Sequence, residues 1–106
     1  MKKILAYIQP FVLARLVQTL MEMPGFPGMT VMDCEGLALT QVEHKQSFDL
    51  LLPKKRIEII ADDSQVDEIV ASIMQHAHTG RAGDGKVVVH DILAFGHVRT
   101  GEWRVS

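Results

Sequence analysis

The chain has 106 residues, of which 47% are hydrophobic, enough for one compact core and too few for two. With 23% charged residues and a formal net charge of −2, it has no basic field of the kind that draws a protein onto nucleic acid, so nucleic acid is not expected as a partner. Cys34 is the sole cysteine, no signal-peptide pattern follows Met1-Lys2-Lys3-Ile4, and no apolar run approaches the roughly 20 residues that span a bilayer. The expected setting is therefore the cytoplasm, with no direct membrane insertion and membrane contact only through a partner.

In chain order, Lys3 to Gln9 reads as a largely buried strand, and Pro10 after it is suited to open a helix, where its missing N–H costs nothing. Between Phe11 and Met23, Val12, Leu16, Leu20 and Met23 recur at helical spacing, until Pro24-Gly25-Phe26-Pro27-Gly28 stops the helix. Met29 to Glu35 is a second strand. Gly36 to Pro53 has no clean period and reads as a long hairpin connection of the kind that often carries function. Arg56 to Ala61 is strand-like, and Ser64-Gln65-Val66-Asp67 resembles a capping box opening a helix with Val66, Ile69, Val70, Ile73 and Met74 on it. Thr79 to Gly85 breaks that helix, Lys86 to Val89 is a fourth strand, and Phe95 to Arg99 is a short edge strand before a polar tail.

The order β-α-β-β-α-β places residues 1–106 in a single α+β domain. Its plan is the ferredoxin-like sandwich, a four-stranded antiparallel sheet with two helices on one face. Because the strands look apolar at nearly every position, the second sheet face also asks for cover, which self-association would supply.

Two segments carry chemistry. Thr79-Gly80-Arg81-Ala82-Gly83-Asp84-Gly85-Lys86 sets three glycines between a helix and a strand, with two cations among them, a composition suited to phosphate. It lacks the P-loop spacing, and on composition alone a plain tight turn explains it equally well. In His97-Val98-Arg99-Thr100-Gly101-Glu102, strand alternation aims His97 and Arg99 at one face, although a solvated edge is the simpler reading. The histidines 44, 76, 78, 90 and 97 and Cys34 are types that suit zinc, copper or nickel. No pair has the spacing of a strong site, so His76 and His78, at the end of the second helix, are weak metal candidates only, and whether any metal binds stays open.

Several stretches together resemble the PII signal-transduction family, in the right order and over nearly the whole chain. They are Met1-Lys2-Lys3-Ile4, Ile8-Gln9-Pro10-Phe11, Gly28-Met29-Thr30-Val31, Leu52-Pro53-Lys54, Ile57-Glu58-Ile59, the glycine-rich Thr79 to Lys86, and Arg99-Thr100-Gly101-Glu102. The resemblance implies a homotrimer of ferredoxin-like subunits that binds ATP, ADP or AMP as an effector between neighbours. It also implies a long loop, here within 36–53, presented to a partner protein, for which a membrane transporter is one candidate. Carried over residue by residue, Ile8, Gly28, Met29, Thr30, Gly36 and Ile60 would surround the adenine and ribose. Gly83, Asp84, Gly85, Lys86, Arg99 and, at an arginine's usual place, His97 would approach the phosphates. No catalytic residue is implied, and Asp84 alone is thin support for a slow ATPase.

The departures from that family are specific. Gly36-Leu37-Ala38-Leu39-Thr40 stands where Gly-Phe-Gly-Arg-Gln is usual, removing a phosphate-directed arginine and the glutamine linked to magnesium and 2-oxoglutarate. The loop is several residues shorter and holds no tyrosine, so uridylylation there is excluded, Tyr7 being the only tyrosine. His97 stands where an arginine is usual, exchanging a permanent planar cation for an imidazole. These changes indicate a divergent PII-like branch with a shortened loop. The alternative reading is a metal-binding PII-like trimer associated with heavy-metal efflux.

Overall fold

The computed structural model describes every residue except 38–50, 82 and 106. Its elements are β1 (Lys2–Ile8), a 3-10 turn (Pro10–Val12), α1 (Leu13–Met21), β2 (Thr30–Leu37), β3 (Leu51–Ala61), α2 (Asp63–His76), β4 (Gly85–Asp91), β5 (Ala94–His97) and β6 (Glu102–Val105). Strands β2-β3-β1-β4 form one antiparallel sheet in that order, as the ferredoxin-like plan requires, and β5 and β6 form a separate hairpin.

One sheet face and both helices share the core. Ile4, Ala6 and Ile8 alternate inward from β1, with Ile4 in register with Ile59 and Ala6 with Ile57 and Val87 on the flanking strands, and they share a core with Leu16 and Leu20 of α1 and Ile69 and Ile73 of α2. All of these except Val87 are almost fully buried, at 0 or 1% exposure. Removing this apolar area from water is what holds two short helices on the sheet, since neither would persist alone.

The opposite face corrects the expectation of an apolar surface throughout. Leu5 is 9% exposed there, but Lys3, Arg56 and Glu58 surround it, with Lys3 Nζ at 3.0 Å and Arg56 Nη2 at 3.1 Å from Glu58 Oε1. On this face charged and apolar residues mix, Leu5 pairing with Glu58 of β3 on one side and Val88 of β4 on the other. The Glu58 carboxyl is held below its usual range by its bond with Lys3 and, less strongly, by Arg56.

Element boundaries differ from expectation where tertiary partners decide them. The first helix opens as a 3-10 turn and ends at Met21, short of Met23, with Gly25 at φ +73° in the exit turn. Strand β3 begins at Leu51 instead of Arg56, because Leu51 to Pro53 pair with Leu37 to Glu35 of β2. Pro53 is tolerated because β1 ends at the Ile8–Lys55 pair, so β3 has a neighbour on one side only at that point. The capping box is formed by Asp62 and Gln65, not Ser64 and Asp67, so α2 starts at Asp63. Gln65 also donates to the Gly25 carbonyl at 2.7 Å, tying the start of α2 to the loop after α1.

The C-terminal segment is corrected as well. The edge strand stops at His97, and the expected polar tail returns as β6, pairing His97 with Glu102 and Ala94 with Val105. Gly101 takes φ +75° in the turn and donates its N–H to the His97 carbonyl at 2.8 Å, while Glu102 N–H reaches Thr100 Oγ1 at 3.2 Å. Val98 to Gly101 therefore form a turn, so Val98 and Arg99 lie in it where alternation suggested strand.

Candidate functional site

The end of the sheet where β1 stops, β3 runs on and β4 begins is the chemically richest place in the chain. Gly85 opens β4 opposite Ile8, at φ +114°, and a Cβ there would lie 1.7 Å from the Tyr7 carbonyl oxygen. Only glycine fits this junction. Gly80 and Gly83 also have positive φ, at +81° and +87°, so the segment from α2 to β4 turns tightly before entering the sheet.

Asp84 gathers that segment around its carboxylate. It accepts from the Thr79 N–H at 2.7 Å, the Gly80 N–H at 2.9 Å and the Thr79 hydroxyl. These bonds, those from Thr79 foremost, hold its carboxyl below the usual range. The Gly83 carbonyl faces the sheet and accepts from Gln9 Nε2 at 2.8 Å and from Lys54 Nζ. Lys54 is only 8% exposed, and its stem passes Gly36, where a Cβ would come within 3.3 Å of Lys54 Cγ.

Gly36, Lys54, Gly83, Asp84 and Gly85 border an open cavity of about 660 Å³. Its lining includes Glu35, Gly36 and Leu37 of β2, Lys54 of β3, and Arg81, Gly83, Asp84, Gly85 and Lys86, so three cations stand there against two carboxylates. Lys86 and Arg56 lie 5.5 and 6.0 Å from the Tyr7 ring centroid, and Lys54, Arg81 and Lys86 bring three cations to a space edged by glycine backbone. Such a concavity is suited to an anion with several oxygens.

The residues singled out from sequence fall into three places within one chain. Gly36, Gly83, Asp84, Gly85 and Lys86 border the cavity, and Ile8, 1% exposed, lies beneath it in the core beside a smaller cleft of about 140 Å³. Thr30 lies six residues back along β2 from Gly36, roughly 20 Å at strand rise, with Gly28 and Met29 before it and Ile60 two residues past its partner Glu58. His97 and Arg99 belong to the β5–β6 hairpin, both exposed; since β5 ends at His97, Arg99 sits in the turn and the two do not share a strand face. Sequence reasoning missed Lys54 and Gln9 as site residues, although both lie in stretches that carry the family resemblance. Their shared target, the Gly83 carbonyl, is a contact across 74 residues from Gln9 and 29 from Lys54 that no local pattern announces.

The histidine candidates do not converge. His76 Nδ1 lies 2.9 Å from the Ser72 carbonyl of its own helix, and His78 Nδ1 lies 3.7 Å from Asp84. Among the described residues no three His, Cys, Asp or Glu side chains come together as a metal-binding group; His44 lies outside them, as does most of the loop expected over 36–53. Among the described residues no helix is long and apolar enough to cross a membrane.

Comparison with known proteins places the chain. The family model described as nitrogen regulatory protein P-II matches residues 1–102. The nitrogen regulatory protein P-II of Pasteurella multocida is 38% identical over 110 residues, covering 96% of this chain and 95% of that protein. The P-II protein of Azospirillum brasilense is 38% identical over 107 residues, and P-II 1 of Escherichia coli K12 is 39% identical over 110, each alignment again covering 96% of this chain and 95% of the relative. The match takes in the glycine segment, the β2–β3 arm and the C-terminal turn alike, and the chain belongs to the nitrogen regulatory protein P-II family.

Proposed function

We propose that this protein is a signalling regulator that binds an adenine nucleotide, ATP, ADP or AMP, between subunits of a homotrimer and passes the nucleotide state to a partner protein. The observation that carries the reading is the cationic, glycine-edged cavity at the β3–β4 end of the sheet, where Lys54, Arg81 and Lys86 surround a space large enough for a di- or triphosphate. The separation of the remaining candidates supports the intersubunit part. Gly28, Met29, Thr30, Ile60, His97 and Arg99 stand away from that cavity in one chain, so a neighbour's copy is the natural source for completing it. Regulation, not catalysis, fits the chemistry: Asp84, the acidic residue of the glycine segment, already has both oxygens engaged by the segment's own donors and is not poised as a base. The partner is taken to be a cytoplasmic target or a membrane transporter that reads the connection between β2 and β3.

Calorimetric titration of the purified protein with ATP, ADP and AMP tests this directly. Saturable binding that weakens at least about tenfold in Lys86→Ala and in Arg99→Ala is expected, as each removes a charge-assisted contact. Absence of binding to the folded protein, or binding indifferent to both variants, sinks the reading.

A further inference from the structure

Asp84 borders the cavity, yet its carboxylate is wrapped by its own segment. Oδ2 accepts from the backbone N–H groups of Thr79 and Gly80 at 2.7 and 2.9 Å, and Oδ1 accepts from the Thr79 hydroxyl. Thr79 Oγ1 accepts in turn from the Arg81 N–H at 3.3 Å, so the network reaches the residue whose cation lines the cavity. On the other side of Asp84, Gln9 and Lys54 hold the Gly83 carbonyl from the sheet. The turn is thus pinned from inside by a carboxylate and from outside by two side chains.

A free carboxylate beside a phosphate site would repel the ligand. One that accepts three hydrogen bonds is partly neutralised and fixed in place, and it removes conformations that a glycine-rich segment would otherwise have to surrender on binding. We propose that Asp84 is a positioning residue and not a nucleotide ligand: by accepting from Thr79 and Gly80 it holds the Gly83–Gly85 backbone, Arg81 and Lys86 at the cavity before a phosphate arrives. Thr79, which the family resemblance left without a role, is its obligatory partner. The inference rests on the anion-binding reading of the cavity.

Wild-type protein and the variants Asp84→Asn, Thr79→Val and Thr79→Ser are titrated with ADP, and exchange of the Thr79 and Gly80 amides is followed by NMR. Asp84→Asn and Thr79→Val are expected to weaken ADP binding about tenfold each, Thr79→Ser no more than about twofold, and the Asp84→Asn/Thr79→Val double variant no further than Asp84→Asn alone. The Thr79 and Gly80 amides should exchange faster in Asp84→Asn while the far-ultraviolet spectrum is unchanged. Additive losses in the double variant, unchanged amide exchange, or tighter ADP binding in Asp84→Asn would each overturn the assignment. Should Asp84→Asn not fold, Thr79→Val against Thr79→Ser decides the same point. If wild-type protein ignores ADP, the nucleotide reading fails separately and tripolyphosphate replaces it as the probe. Affinity lost in Asp84→Asn then supports the positioning role, and equal affinity or none overturns it.

Discussion

Among single residues, the chemistry of the cavity depends on positions where one residue type alone fits. Gly85 is the clearest. Its φ of +114° and the 1.7 Å approach that a Cβ would make to the Tyr7 carbonyl mean that even alanine must push β1 and β4 apart. Gly85→Ala is expected to lower stability by about 2 kcal/mol or more, measured by urea denaturation, and to weaken anion binding with it. The three glycines and two cations of this segment were legible from sequence as a phosphate-suited composition. Lys54 was not, because its importance comes from burial at 8% exposure against Gly36 and Gly83, and in the sequence it falls between the expected connection ending at Pro53 and the expected strand from Arg56.

Among the elements, the α2 N-terminus shows how two neighbouring patterns compete. Ser64-Gln65-Val66-Asp67 has the outline of a capping box, but Asp62 two residues earlier accepts from the N3 backbone and Gln65 reaches back to the Asp62 N–H. The earlier start is favoured because Gln65, bonded back to Asp62, gains a second bond to the Gly25 carbonyl. Asp62→Ala should cost about 1 kcal/mol in thermal or chemical denaturation, whereas Ser64→Ala should be nearly neutral. Equal losses in the two variants would return the cap to Ser64. The β2–β3 arm follows the same logic. A proline and a lack of period made Leu51 to Pro53 look like loop, yet pairing with Glu35 through Leu37 makes them strand.

Across the molecule as a whole, large apolar groups are exposed in two regions. Leu93, Val98, Trp103 and Val105, each 68% exposed or more, belong to the C-terminal hairpin or its approach, Met21 and Phe11 stand out at and before α1, and the half-buried Arg56–Glu58–Lys3 network lies on the sheet face opposite the helices with Leu5. A single chain leaves these surfaces to water, and a neighbouring copy would cover them. Sedimentation equilibrium is expected to return three times the 11.8 kDa chain mass, and Trp103→Glu is expected to shift the protein toward monomer and to weaken ADP binding together with it. A monomeric wild-type protein would remove the intersubunit site, and full ADP affinity in a monomeric variant would place the site within one chain.

Local pattern was sufficient for the order β-α-β-β-α-β, for the core positions Ile4, Leu16, Ile59 and Ile69, and for the glycine-rich segment before β4. Periodicity, proline and glycine are local signals with local causes. Packing was needed to bring Lys54 and Gln9 together on Gly83, to turn Asp84 inward to Thr79, and to return the chain after Thr100 as β6. Each of those is a hydrogen bond chosen among many polar partners of similar strength. Which one forms depends on where the sheet register brings the backbone, and that is settled only when the core has packed.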